Sequence, residues 1–319
     1  MGALLWRRGI TAVAAVCWLL FQPVHAFQPT DEPTLLLDQA QSTLVAKPIE
    51  GLRLAREAAA LEESGVAPRD AIMMRAAWLE AESLFRLSLP GDAAEVLKET
   101  LSTYRNAGGT ALYGKLLITS ARVARSFGDN GLALKNFQDA YKLFSELGVT
   151  RYQAMALQGI STLYTNARRY ERAIEYDRRA AEIHPNDSIM KIASLNNRGY
   201  ALRKLGRFDE ARSMFEEALN LDIIPEVPSL GVRLYANIAA MELAAGDIDR
   251  VRAALRGQEK LAANLSKDQA PLLLAAVQAE IAYRDGERTE AEAILDEAFL
   301  GVDLEETPED AIEAHALAA

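Results

Sequence analysis

The 319-residue sequence predicts an all-α fold, an α-solenoid of about seven helical hairpins with a period of about 40 residues and a partial eighth. Three observations predict it. A small residue recurs as Gly51, Ala93, Ala133, Ala173, Ala211, Val251 and Ala291, in steps of 42, 40, 40, 38, 40 and 40. Twelve residues before six of these stands another: Ala81, Ala121, Ser161, Gly199, Ala239 and Ala279. That spacing suits the crossing of two paired helices, where a large side chain would force the axes apart. Turn-formers fall between the two marks: Pro90-Gly91-Asp92, Gly128-Asp129-Asn130, Gly206-Arg207-Phe208-Asp209, Gly246-Asp247-Ile248-Asp249 and Gly286-Glu287-Arg288. A glycine there ends one helix at positive φ, and the Asp or Asn after most of them caps the next.

Residues 1–26 stand apart from this pattern. Arg7 and Arg8, an apolar run from Ile10 to Phe21, and Val24-His25-Ala26 read as a secretory signal peptide cleaved after Ala26. The alternative, an uncleaved anchor, falls short of the roughly 20 apolar residues a bilayer core requires. Cys17, the one cysteine, lies in that run. The mature chain is therefore expected to carry no disulfide, thiol chemistry or thiolate metal site.

Residues 27–33 read as an extended leader and 34–305 as the solenoid. The first hairpin is the weakest, with Pro48 starting its second helix. Trp78, the only tryptophan after residue 26, suits either a groove or the core. The fourth hairpin has Arg168 where a glycine is expected, although Tyr170 and Ala173 keep its register. Loops are expected at Asn106-Ala107-Gly108-Gly109-Thr110, at His184-Pro185-Asn186-Asp187-Ser188 and at Ile224-Pro225-Glu226-Val227-Pro228-Ser229, the last the most irregular. Residues 306–319 open an eighth hairpin at Thr307-Pro308-Glu309-Asp310. Its apolar final helix makes a poor solenoid cap, so the chain is expected to be the N-terminal portion of a longer protein.

The fifth hairpin shows the pattern most fully. Leu195, Gly199, Leu202 and Leu205 mark one helix face; Phe208, Ala211, Phe215 and Ala218 mark the facing one. This stretch resembles a tetratricopeptide repeat, although the period exceeds the usual length of about 34. The array resembles the long-period arrays of bacterial signalling proteins, in which an extracytoplasmic sensing region precedes a membrane segment and a diguanylate cyclase or histidine kinase.

Chemistry is sparse. After residue 26 there are two histidines, His184 and His315, and neither has a second histidine or a cysteine nearby in sequence. No nucleophile elbow, phosphate loop or zinc-helix motif occurs. Pairs such as Glu80 with Glu82 and Glu216 with Glu217 diverge on a helix and read as solvated faces. The sequence predicts no enzyme, no cofactor and no metal. The net charge of −10 becomes −12 without residues 1–26, with 33 basic residues against 45 acidic. Interspersed charge of that sign argues against nucleic acid and anionic membrane surfaces as partners.

What remains is surface. The resemblance implies that the first helices of successive hairpins line a peptide-binding groove. Spacing carries this onto Lys115, Arg122 and Arg125, then Gln158 and Thr162, then Asn196, Tyr200 and Arg203, then Arg233 and Asn237. These are polar and net positive, and suit an acidic peptide or protein segment. The carboxylate-clamp pattern of co-chaperone repeats is not reproduced: Asn237 fits one place, but Tyr200, Leu273 and Val277 stand at others. The expected function is an exported, non-catalytic binding scaffold, the sensory part of a larger signalling protein, meeting the membrane only through a segment beyond Ala319. The alternative is a free-standing periplasmic assembly factor for envelope proteins.

Overall fold

A computed structural model describes residues 32–62, 69–107, 109–262 and 272–300. Fourteen α-helices occur among them. They form two compact units, one ending at Gly108 and one beginning at Gly109. The expected signal peptide, most of the leader and the eighth hairpin lie outside the described residues.

The first unit holds α1 (Glu32–Thr43), α2 (Pro48–Glu62), α3 (Arg69–Arg86) and α4 (Pro90–Thr103). α1 starts at Glu32, two residues before the expected solenoid boundary, and Pro48 opens α2 as a first-turn proline. Leu37, Leu54, Met74, Leu79, Leu84 and Leu97 build the core, and Trp78 is buried with them. Polar ties lie outside it. Arg75 donates to Asp38 (2.6 Å) and Gln41 (2.9 Å), joining α3 to α1, and Arg56 pairs with Glu80 at 2.8 Å.

The second unit holds five hairpins: α5 (Ala111–Ser126) with α6 (Asn130–Glu146), α7 (Thr150–Asn166) with α8 (Tyr170–Ile183), α9 (Ser188–Lys204) with α10 (Phe208–Leu219), α11 (Pro228–Ala245) with α12 (Ile248–Ala262), and α13 (Leu272–Arg284) with α14 (Arg288–Phe299). Partners pack within each hairpin, and α6, α8 and α10 pack on α7, α9 and α11 of the next. First helices also meet one another, α5 on α7, α9 on α11 and α11 on α13.

The register found in the sequence marks the buried crossings. Ala93, Ala133, Ala211 and Val251 are wholly buried, as are Ala81, Ala121, Ser161 and Ala239. At Gly199 the reason is steric: a Cβ there would stand 2.5 Å from Cε1 of Phe215 on α10. α9 and α10 approach this closely only because the ring lies over bare backbone.

Six hairpin turns share one conformation. A left-handed residue stands seven places after the first small residue and five before the second: Ser88, Gly128, Arg168, Gly206, Gly246 and Gly286. The next N–H reaches back five residues in each, as from Arg169 to Tyr164 O (2.8 Å) and from Arg207 to Leu202 O (2.9 Å). These are Schellman closures, which satisfy the last carbonyls of the first helix. Two positions correct the expectation. In the second hairpin the left-handed residue is Ser88, at φ 58°, and Gly91 lies inside α4, because Pro90 already starts the helix. In the fourth, Arg168 takes the glycine conformation at φ 56°.

In these turns the side-chain caps come from aspartates. Asp129 accepts from Leu132 N (2.9 Å) and Asp247 from Arg250 N (3.1 Å), whereas Arg207 and Glu287 give no side-chain cap. Two of the expected loops contain short 3-10 turns, Arg105–Ala107 and Ile224–Glu226. Ile224 is buried there and Pro228 starts α11.

Candidate functional site

The first helices of hairpins three to five have a charge distribution unlike the rest of the chain. α5, α7 and α9 carry eight basic residues: Lys115, Arg122 and Arg125, then Arg151, then Lys191, Arg198, Arg203 and Lys204. They carry no carboxylate. Their partners α6, α8 and α10 carry ten carboxylates against six cations. Helices of net positive charge thus alternate here with helices that together are net acidic, which concentrates a favourable field for anionic partners. Arg151 is met by Asp187 (3.7 Å) and Lys191 by Glu217 (2.9 Å).

The ten residues expected to line a groove fall into local groups. Lys115 is half-buried on α5, its Nζ 4.9 Å from the ring centre of Tyr152 on α7, and that ring stacks on Phe144 at 5.0 Å. Such a cation over an aromatic face is held without losing its charge. Arg122 and Arg125 lie side by side on α5. Burial, reinforced by the charge of Arg122, pulls the Arg125 guanidinium below its usual value.

On α7, Gln158 donates to Met190 O (3.3 Å) at the start of α9, while Thr162 donates back to Gln158 O (3.0 Å). Asn237 is buried on α11 and donates to Asn196 Oδ1 on α9 (2.8 Å). Tyr200 and Arg203 are both 7% exposed, with the guanidinium 5.0 Å from the ring centre and Lys204 Nζ 5.3 Å from it. Arg233 is exposed on α11. Lys115, Gln158 and Asn196 therefore each reach the next first helix, making joints along this face, and the buried Tyr200, Arg203 and Asn237 sit behind it.

Sequence reasoning missed three features. Tyr152 and Lys204 join the positive face, and a count of charge helix by helix finds the segregation that composition hides. Asp177 on α8 is 1% exposed. Ser161 Oγ on α7 lies 2.5 Å from its Oδ2 and 2.9 Å from Ala173 O, so one hydroxyl proton faces two acceptors. A protonated Asp177 resolves this by donating to Ser161 Oγ, whose own proton goes to Ala173 O. Burial pushes the Asp177 carboxyl up to about 7, although hydrogen bonds from Ser161 and Asn197 and the charge of Arg198 act to lower it. Ser194 Oγ on α9 donates to Asp177 O at 3.0 Å, completing a polar joint between α7, α8 and α9.

Among the described residues no group of three or more His, Cys, Asp or Glu side chains is placed to hold a metal ion. No helix among them is long and apolar enough to cross a membrane.

Residues 152–224 match the tetratricopeptide repeat family profile. No curated protein matches the chain. Among solved structures, a tetratricopeptide repeat protein from Parabacteroides merdae is 16% identical, covering 90% of this chain and 98% of its own with a TM-score of 0.59. Apo RapI is 13% identical over 90% of this chain and 98% of its own, with a TM-score of 0.60. NprR in complex with its cognate peptide NprX is 12% identical over 97% of this chain and 90% of its own, also at 0.60. By sequence over residues 152–224, and by fold over nine-tenths of its length, the chain is similar to tetratricopeptide-repeat proteins.

Proposed function

We propose that the protein is a non-catalytic binding scaffold, and that the first helices of its third to fifth hairpins take an acidic peptide or an acidic segment of a partner protein. The observation that carries this reading is the eight-to-zero excess of cations over carboxylates on α5, α7 and α9 in a chain of net charge −10. Lys115 against the half-buried ring of Tyr152, and Lys204 against the buried ring of Tyr200, hold part of that charge on aromatic platforms. Cations fixed in this way lose little freedom when a carboxylate arrives. NprR, which shares the fold, holds a peptide in its solved complex.

Binding of a labelled glutamate-rich peptide and its glutamine counterpart, followed by fluorescence anisotropy, tests the proposal. The glutamate peptide binds and its affinity falls with added salt. Arg122→Ala with Lys204→Ala weakens it by about tenfold without loss of helicity. Equal binding of the two peptides overturns the reading. Arg203 is unsuited to this test, because its burial against Tyr200 makes its removal a packing change.

This scaffold works outside the cytoplasm in the reading supported by residues 1–26, as the sensory part of a larger signalling protein. N-terminal sequencing of the exported protein tests the first point, with Phe27 as the expected first residue. An encoded stretch of about 20 apolar residues after Ala319 tests the second; a stop there favours the free-standing assembly factor.

A further inference from the structure

A cleft of about 170 Å³ opens between the fourth and fifth hairpins, and two of the eight cations counted above, Lys191 and Arg198, line it. Ala181 and Pro185 wall it from the end of α8, and Glu217 from α10. α9 turns one stripe towards it, Lys191, Ser194, Leu195 and Arg198, at the three- and four-residue spacing of a single helix face. Its charge does not balance. Lys191 pairs with Glu217 at 2.9 Å, and Ser194 is committed to Asp177 O. Arg198 is left over: half-buried, it makes no ion pair among the described residues, and its Nε–H is buried and donates to nothing.

A buried donor without an acceptor is uncommon in folded proteins, and a charged one more so. The cost of stripping water from this Nε–H is already met in the folded chain. An arriving carboxylate therefore gains a charge-assisted, two-point hydrogen bond without displacing an existing partner. The net single positive charge of Lys191, Arg198 and Glu217 suits one carboxylate, and Ala181, Pro185 and Leu195 suit a short aliphatic stem behind it. The volume equals about five or six waters at their liquid density, enough for a group the size of an acidic side chain.

We propose that this cleft is a carboxylate-binding site, in which Arg198 holds the anion, Lys191 and Glu217 frame it, and the apolar wall takes its aliphatic stem. Lys191 and Arg198 belong to the eight cations counted above, but their stripe lies on the side of α9 opposite Asn196, Tyr200 and Arg203, so the site's existence does not depend on that reading.

The position of Asp177 makes the site sensitive to protons. Asp177 faces Ser161 from α7 and Ser194, Asn197 and Arg198 from α9, and Arg198 is the charged group among these. A carboxylate bound at Arg198 offsets the positive charge that favours ionised Asp177, so binding favours its protonated form. By linkage, protonation of Asp177 tightens binding to the same degree. Affinity is therefore higher below the titration of Asp177, near pH 7, than above it.

The ¹⁵Nε–¹Hε resonance of Arg198 in the full chain provides the test, with sodium butyrate as one probe and an N-acetylated, C-amidated tripeptide with a central glutamate as the other. The expected result is a saturable shift of that resonance by a carboxylate probe, several-fold weaker at about pH 8 than at about pH 6. A response to butyrate identifies a free small carboxylate as the ligand class; a response to the tripeptide alone identifies an acidic side chain of a polypeptide. Read from the backbone amide resonances of Ser194 and Leu195, which the variants keep, Arg198→Gln is expected to lower affinity by about tenfold with helicity retained, and Arg198→Lys to restore part of it. No saturable shift with either probe, or unchanged affinity in Arg198→Gln, overturns the proposal. If Arg198→Gln fails to fold, the wild-type titration at the two pH values decides.

Discussion

Gly159 on α7 lies under the ring of Phe137 on α6 so closely that a Cβ there would stand 2.3 Å from Cε1 and 2.4 Å from Cζ. Phe137 is 2% exposed, so the ring has nowhere to withdraw. This contact joins the third hairpin to the fourth, and it depends on the absence of a side chain. Gly159→Ala is expected to destabilise the protein by about 1–3 kcal/mol through overpacking. The urea midpoint should fall while the slope stays the same. Phe137→Leu should relieve the clash, so the double variant is expected to cost less than the two single variants together.

The crossings were legible in the sequence because a helix contact imposes a size limit, and a size limit leaves a mark at fixed spacing. Ala81 with Ala93, or Gly199 with Ala211, can be found without coordinates for that reason. The turn conformation was legible where glycine supplies it and hidden at Ser88 and Arg168, where surrounding hydrogen bonds enforce what the residue itself disfavours. The groove residues divide in the same way. Helical spacing gives the angular position of Tyr200, Arg203 and Asn237, but their burial depends on the neighbouring helices, which no single hairpin reveals. Asp177 was hidden for a different reason: in a chain with 45 acidic residues, only packing separates one carboxylate from the others.

Arg168 occupies the left-handed region with an exposed side chain. For a residue with a Cβ that conformation costs about 1–2 kcal/mol, part of which glycine gives back through its freer unfolded chain. Arg168→Gly is expected to stabilise the protein by about 0.5–1 kcal/mol, seen as a higher melting temperature. Arg168→Ala, which keeps the strain, should change little. Stabilisation by alanine equal to that by glycine would place the cost in the arginine side chain instead of the backbone.

Glu242 on α11 is almost fully buried and is gripped by Arg212 of α10 through two bonds, 2.7 and 2.9 Å long. Arg250 adds a third charge contact at 3.7 Å. Removing one partner of such a pair leaves a buried charge, so Arg212→Ala is expected to cost about 3–5 kcal/mol in equilibrium unfolding. Arg212→Leu combined with Glu242→Leu should recover much of that loss, because the apolar pair leaves no uncompensated charge. A double variant no better than Arg212→Ala would show that the pair does more than balance its own desolvation.

The joint between α7, α8 and α9 should make stability depend on pH in a direction opposite to that of ordinary surface carboxylates. Burial pushes the Asp177 carboxyl up to about 7 in the folded chain, against an ordinary 3.8. Between those limits the native state holds a proton that the unfolded chain has released. The contribution of Asp177 is therefore complete below about pH 4, declines as pH rises towards 7 and is lost above it. At 1.36 kcal/mol for each pKa unit, the full change is on the order of 4 kcal/mol. Glu50, Glu210 and Asp285 are held low by their arginine partners and work in the opposite sense. The comparison that isolates Asp177 is accordingly wild type against Asp177→Asn, unfolded in urea across this range. The asparagine amide can donate to Ser161 Oγ as the protonated acid does, at every pH. The variant is expected to match wild type near pH 4 and to exceed it in stability near pH 8. Parallel curves for the two proteins would mean that Asp177 is ionised in the folded chain throughout, with Ser161 as its donor.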